Sequence, residues 1–231
     1  MSNSLMNNMN NRPESVDSSH VLETIHKWPS TRAKEWVENF VQTSRQQSDI
    51  WAIVIFGSIV RPQVRYSVDV DLLVIYESEK PDFVLPPLDV DIRPYRQADI
   101  ESLLLEGHEL LCWTILFGKI LYEKDTYWTT LCDKWKEDLP LPCAKIADKR
   151  AEKAKQLFKD LKVIGDEDAA QEQYITMLTQ IARACLIRSD TYPASRPELP
   201  DQLKSVGEHE LASQLEKALQ TRREWMETQA I

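Results

Sequence analysis

Apolar residues run without a break from Ile50 to Phe56 and stop at Gly57. A run that short, rich in Ile and Val, predicts a buried strand. Ahead of it, Ala33, Trp36, Val37, Phe40 and Val41 recur at helical spacing between charged positions, which predicts an amphipathic helix over Ser30–Gln47 packing on the sheet that follows. A shorter helix is expected over His20–Trp28. After Gly57-Ser58 the pattern predicts a turn, a brief helical segment at Ile59-Val60 capped by Ser58, and an interruption at Pro62. A second strand follows over Val68–Tyr76, then a proline-rich loop, then an alternating strand over Leu88–Ile92 closed by Pro94. Helical spacing returns from Asp99 to Leu116, with Lys119–Tyr122 as a last strand.

Beyond Pro140-Leu141-Pro142 the texture is charged and helical throughout. Helices are expected over Ile146–Ile164, Asp168–Ile187, Leu199–Val206 and Glu208–Glu227, with Thr191–Pro200 as a connection. The reading is an α+β protein: a small mixed sheet with helices, then an all-α bundle. The expected divisions are a disordered polar tail (1–19), a sheet domain (20–140) and a helical domain (141–231).

Composition narrows the partners. The 231 residues carry 42% hydrophobic and 28% charged side chains, ordinary for a globular chain with a core. A net charge of −9 argues against general nucleic-acid binding, which draws on clustered Lys and Arg. The four cysteines (Cys112, Cys132, Cys143, Cys185) show no metal-ligand spacing and are expected to be small buried hydrophobes. Met1–Ser19 lacks the apolar run of a signal peptide, and no segment approaches the ~18 apolar residues of a membrane span, so a cytoplasmic location is expected. A homodimer is left open.

The chemistry gathers around two of the predicted strands. Asp69 and Asp71 alternate at the start of the second strand, so both carboxylates face one way. Side-by-side carboxylates repel unless a cation lies between them, and a hard divalent ion such as Mg²⁺ suits them. Asp91 or Asp89 on the next strand supplies a third. Three such groups can hold two divalent ions against a triphosphate and an attacking hydroxyl, and one carboxylate can take the hydroxyl proton. Gly57 lets backbone approach a phosphate and Ser58 can donate to it. Arg61, Arg65 and Arg93 bring positive charge into the same segments.

Phe56-Gly57-Ser58, ten intervening residues, Asp69-Val70-Asp71-Leu72-Leu73-Val74 and then Val90-Asp91-Ile92 resemble the signature of the DNA polymerase β-like nucleotidyltransferases. Gly118–Tyr122 is similar to the close of the minimal form of that domain, so the resemblance spans about residues 50–125. It implies Gly57 and Ser58 as phosphate contacts, with Arg61 and Arg65 beside them, and Asp69, Asp71 and Asp91 as catalytic Mg²⁺ ligands. Asp91 is preferred to Asp89 because the family places its third acid before a hydrophobic residue at the strand end. It also implies an NTP, ATP, as substrate. Two positions depart from the family: Pro62 stands where a second glycine is frequent, and Val68 where a serine is.

A helical bundle after such a domain is similar to the layout of kanamycin nucleotidyltransferase and of fusions with HEPN-type domains. HEPN nucleases carry Arg, four to six residues, then His. His209 is the one histidine of this half, and Gln202, Leu203 and Lys204 hold the positions an arginine would need. The nuclease motif is therefore absent. The expected function is Mg²⁺-dependent transfer of a nucleoside monophosphate to a hydroxyl of a small-molecule acceptor. Two alternatives stand beside it: AMP transfer to a protein, as in antitoxins of this family, and a non-catalytic nucleotide-binding module.

Overall fold

The computed structural model describes residues 18–62, 64, 67 and 69–229. The expected N-terminal tail falls outside them apart from its last residues, as do Arg65 and Val68. The α+β class is as expected: a four-stranded mixed sheet accompanied by helices. By Cα proximity the chain divides into two units. One comprises Met1–Val60, Tyr66–Ile100 and Thr114–Glu137; the other comprises Arg61–Arg65, Glu101–Trp113 and Asp138–Ile231.

The sheet unit contains β1 (Ile50–Phe56), β2 (Val70–Tyr76), β3 (Val90–Arg96) and β4 (Lys119–Glu123), in the order β3-β2-β1-β4. β1 is antiparallel to β2 and β4, while β2 and β3 are parallel. α1 (Ser18–Glu23) and α2 (Thr31–Ser44) cover one face, where Ala33, Val37 and Val41 pack with Ile53, Ile55, Leu72 and Val74. Alternation along the strands then sends Asp71, Leu73 and Ile75 to the opposite face.

Neighbouring parallel strands need a long crossover, and here it carries no helix. It is anchored on α2 instead: Trp36 stacks on Phe40 at 5.0 Å, Phe40 meets Phe83 edge-on at 5.9 Å, and Trp36 Nε1 donates to the Val84 carbonyl at 2.9 Å. These contacts deliver the chain to β3 in register with β2.

β3 extends past Pro94, where the sequence suggested an end. Pro94 lies opposite Val74, and β3 is an edge strand. A proline that lacks an N–H costs little where no outer neighbour needs one.

The helix expected over Asp99–Leu116 is two: α3 (Gln97–Leu105) and α4 (Glu109–Phe117). Gly107 adopts φ +69, and the Gly107 and His108 amides donate to Leu104 and Leu103 carbonyls, a Schellman stop. α5 (Tyr127–Trp135) had no expectation attached to it; its Trp128 and Trp135 are buried, as Trp113 is.

In the helical unit α6 (Ala144–Ile164) and α7 (Glu167–Arg188) form a hairpin turned by Gly165 at φ +80 and started again by the Asp166 cap. α6 presents a row of small buried residues, Ala147, Ala151 and Ala154, which allows close approach of a neighbouring helix. Ile175, Leu178, Ala182 and Leu186 of α7 share a core with α8 (Leu199–Ser205) and α9 (His209–Gln229). All four cysteines are free thiols; only Cys112 is fully buried and Cys143 is exposed, so the expectation of buried hydrophobes fails at Cys143. No helix among the described residues is long and apolar enough to cross a membrane.

Candidate active site

The end of β1 and the start of β2 are held together by one glycine. Gly57 has φ +82, a left-handed conformation, and lies directly against the Asp71 carboxylate. A Cβ at this position would come 2.1 Å from Asp71 Oδ2. The turn therefore needs glycine twice, for its backbone angle and for the space its missing side chain leaves. Gly57→Ala is expected to cost roughly 1–3 kcal/mol and to displace the Asp71 carboxylate. Thermal unfolding checks the first effect, and loss of divalent-cation binding checks the second.

Ser58 opens a 3-10 turn, Ser58–Val60, rather than capping a helical segment from outside. Its hydroxyl lies 2.7 Å from Ser67 Oγ, and Ser67 Oγ donates to the Asp69 carbonyl at 2.7 Å. A hydroxyl has one proton, so the Ser58 proton points at Ser67. The two serines thus join the Gly-Ser turn to the backbone at Asp69. Ser67 supplies a hydroxyl one residue before Val68, the position at which relatives frequently carry serine. It escaped notice in the sequence, although Ser-x-Asp with a side chain bonded two residues on is a recognisable local motif.

Strand register brings the acids together. Asp71 pairs with Phe56 on one side and directly with Asp91 on the other; Asp69 immediately precedes β2. Asp71 is pushed up to about 7, first by burial and then by the Asp69 and Asp91 charges, with Arg93 opposing. Asp69 is raised too, by burial and by Asp91. Three mutually repelling carboxyl groups therefore share one part-buried place.

Asp89 is separated from them. It lies in the turn before β3, and its carboxylate accepts the Ser30 hydroxyl at 2.5 Å. Ser30 is the N-cap of α2, accepting from the Ala33 amide, so Asp89 serves the helix start. Geometry thus favours Asp91 over Asp89 as the third acid.

Hard carboxylate oxygens in a crowded, part-buried group suit a divalent cation. They do not stand as a ligand set: among the described residues, no three His, Cys, Asp or Glu side chains are placed to hold a metal ion. Asp91 is engaged instead by Arg93, whose guanidinium donates to Oδ2 from two residues along the same strand. Tyr95 follows on the same side of β3, half-buried, its hydroxyl raised by burial and opposed by Arg93.

Arg61 lies within the helical unit. Its Nε donates to Glu198 Oε2 at 2.9 Å and its Nη2 to Oε1, a two-pronged pair with only 16% and 14% of the side chains exposed. Glu198 also closes a capping box with Ser195. Arg61 is thus committed to a carboxylate rather than presented as an open phosphate ligand. The Ser195–Glu198 box was legible as Ser-x-x-Glu; its arginine partner, remote in sequence, was not.

Residues 38–127 match the family model described as "Polymerase beta, Nucleotidyltransferase". That segment runs from the second half of α2 to the start of α5 and contains Gly57, Ser58, Asp69, Asp71 and Asp91. The match supports nucleotidyl transfer as the general class of activity. Seven chains of solved structures match. One is a nucleotidyltransferase-like protein from Exiguobacterium sibiricum, 17% identical over 81% of this chain and 74% of that one, with a TM-score of 0.35. No curated protein matches.

Proposed function

We propose that the protein transfers a nucleoside monophosphate from an NTP, ATP, to a hydroxyl of a small-molecule acceptor, with Mg²⁺ as cofactor. The observation that carries this reading is the in-register pairing of Asp71 with Asp91, with Asp69 beside them and Gly57 directly against Asp71. Asp69, Asp71 and Asp91 would hold the metal once Asp91 leaves Arg93. When bound, the cations supply charge neutralisation at the phosphates and at the leaving pyrophosphate.

The chain's own residues do the rest. The backbone at Gly57 and the Ser58 hydroxyl cradle the phosphates, and Ser58 can turn its proton from Ser67 to a phosphate oxygen without breaking the Ser67–Asp69 link. The acceptor oxygen attacks the α-phosphorus, the bond from that phosphorus to the bridging oxygen breaks, and pyrophosphate departs. Asp91, on the edge strand and farthest in the sheet from the Gly-Ser turn, accepts the hydroxyl proton.

Labelled ATP with Mg²⁺, offered to a panel of hydroxyl-rich small molecules and to a cell lysate, tests this. Label on a small molecule with release of pyrophosphate is the expected result. Label on a protein would replace the acceptor class. Mg²⁺-dependent ATP binding without transfer would leave a binding module, and no Mg²⁺-dependent binding would overturn the reading altogether.

A further inference from the structure

Arg93 is placed by β3 on the side of the strand that carries Asp91, since residues two apart in a strand share a face. Register sets it opposite Leu73, one step along from the Asp71–Asp91 pair. Its guanidinium donates to Asp91 Oδ2, and the two side chains are 51% and 42% exposed. An ion pair that open is weak and easily exchanged. β3 is also the edge of the sheet, so no further strand confines the side chain.

Resting on the nucleotidyl-transfer reading above, we propose that Arg93 is a triphosphate-binding residue held by Asp91 until a divalent cation takes that carboxylate. While the acids lack a metal, Arg93 occupies Asp91, and among the described residues the three carboxylates do not stand as a ligand set. A divalent ion and a guanidinium compete for the same oxygen and repel each other, so metal entry expels Arg93. The expelled side chain stays on the same face, beside the phosphates a cation would bring in. Arginine suits that second task because its planar fork can donate twice to phosphate oxygens. One residue thus exchanges an internal carboxylate for the substrate, and the cation and nucleotide bind in concert.

The exchange predicts effects of opposite sign from one substitution. Mn²⁺ binding to the nucleotide-free protein is read by electron paramagnetic resonance. Binding of a non-hydrolysable ATP analogue is read by calorimetry at saturating Mn²⁺. Arg93→Met is expected to bind Mn²⁺ alone about two- to fivefold more tightly, because its competitor is gone. It should bind the analogue about tenfold or more weakly, because a charge-assisted donor is lost. Arg93→Lys, which keeps the charge and loses the fork, is expected to restore the weaker Mn²⁺ binding and only part of the nucleotide affinity. Arg96→Met makes the same change in net charge from a position opposite Tyr76, three residues along the strand, and should alter neither.

Unchanged Mn²⁺ affinity in Arg93→Met, or both affinities moving the same way, would overturn the exchange. Arg96→Met reproducing both shifts would also overturn it, in favour of bulk electrostatics. Absence of both Mn²⁺ and nucleotide binding in the unaltered protein is a separate failure, which removes the nucleotidyl-transfer reading and the exchange with it.

Discussion

Asp71→Asn is expected to stabilise the metal-free protein at about pH 8 while removing roughly a thousandfold or more of its nucleotidyl transfer. Both effects follow from crowding. In the folded chain Asp71 is raised from 3.8 to about 7, by burial first and by Asp69 and Asp91 next. A carboxyl whose folded value lies above its unfolded one favours the folded state when protonated. That contribution is complete below the unfolded value, near 4, and is lost as pH rises through about 7. At about pH 8 the wild-type chain holds a charged Asp71 against two like charges and the asparagine does not. Discounted for partial exposure, the difference is about 1–2 kcal/mol, or ~3–6 °C in melting temperature for a chain of this size. The stabilisation should fade as the pH falls towards 5, where wild-type Asp71 takes up its own proton.

The loss of activity has the same origin. A neutral amide removes the central charge of the set that would draw a cation, and several kcal/mol of charge stabilisation correspond to a thousandfold in rate. Thermal scans of both proteins across pH, with pyrophosphate release measured at saturating ATP and Mg²⁺, check the pair of effects. Retention of more than a tenth of the activity would remove Asp71 from the catalytic set. Equal melting temperatures at about pH 8 would remove the crowding.

The contrast between Asp71 and Arg61 shows which parts of this site could be read from sequence. Local pattern carries strand β1, the glycine that ends it and the alternation of Asp69 and Asp71, because each depends on neighbours within a few residues. The apolar run Ile50–Phe56 is the strand, residue for residue. The α6–α7 hairpin is equally local: long amphipathic helices separated by Gly165 and an Asp166 cap. β3 was legible only to Pro94, since a proline ends a central strand but not an edge strand, and edge position is a property of the whole sheet. The choice between Asp89 and Asp91 likewise waited on tertiary structure. Both alternate correctly; Ser30, at a distant helix start, separates them.

What local pattern could not carry is the set of partners. Arg93 was visible as a nearby cation but not as the residue holding Asp91. Arg61, three residues after Ser58, was expected beside the phosphate contacts; in the structure it is paired with Glu198. Only the fold pairs Arg61 with a carboxylate 137 positions further along the chain. A motif specifies which side chains are available, while their commitments depend on contacts remote in sequence.

Glu198→Ala is accordingly expected to unfold about 5–10 °C earlier than the wild type near neutral pH. Burial alone would raise the Glu198 carboxyl; the hydrogen bonds from Arg61 and Ser195 outweigh it and hold the group below its ordinary value of 4.5. A depressed carboxylate contributes stability above its unfolded value and loses it as pH falls through the folded one, so the contribution is present at neutral pH and disappears in acid. Alanine deprives a largely buried guanidinium of its carboxylate, and the Ser195 hydroxyl and amide of their acceptor. Removing one partner of a buried pair costs about 3–5 kcal/mol; residual exposure here brings that to about 2–3 kcal/mol. Glu198→Gln keeps an acceptor for Ser195 and should lose about half as much. Arg61→Met in the Glu198→Ala background should cost little more than Glu198→Ala alone, because the Arg61–Glu198 interaction is already lost. Wild type and Glu198→Ala should converge in acid, as the pH falls through the lowered Glu198 value. A constant difference in melting temperature across that range would mean that packing, not the Arg61–Glu198 charge pair, underlies the loss.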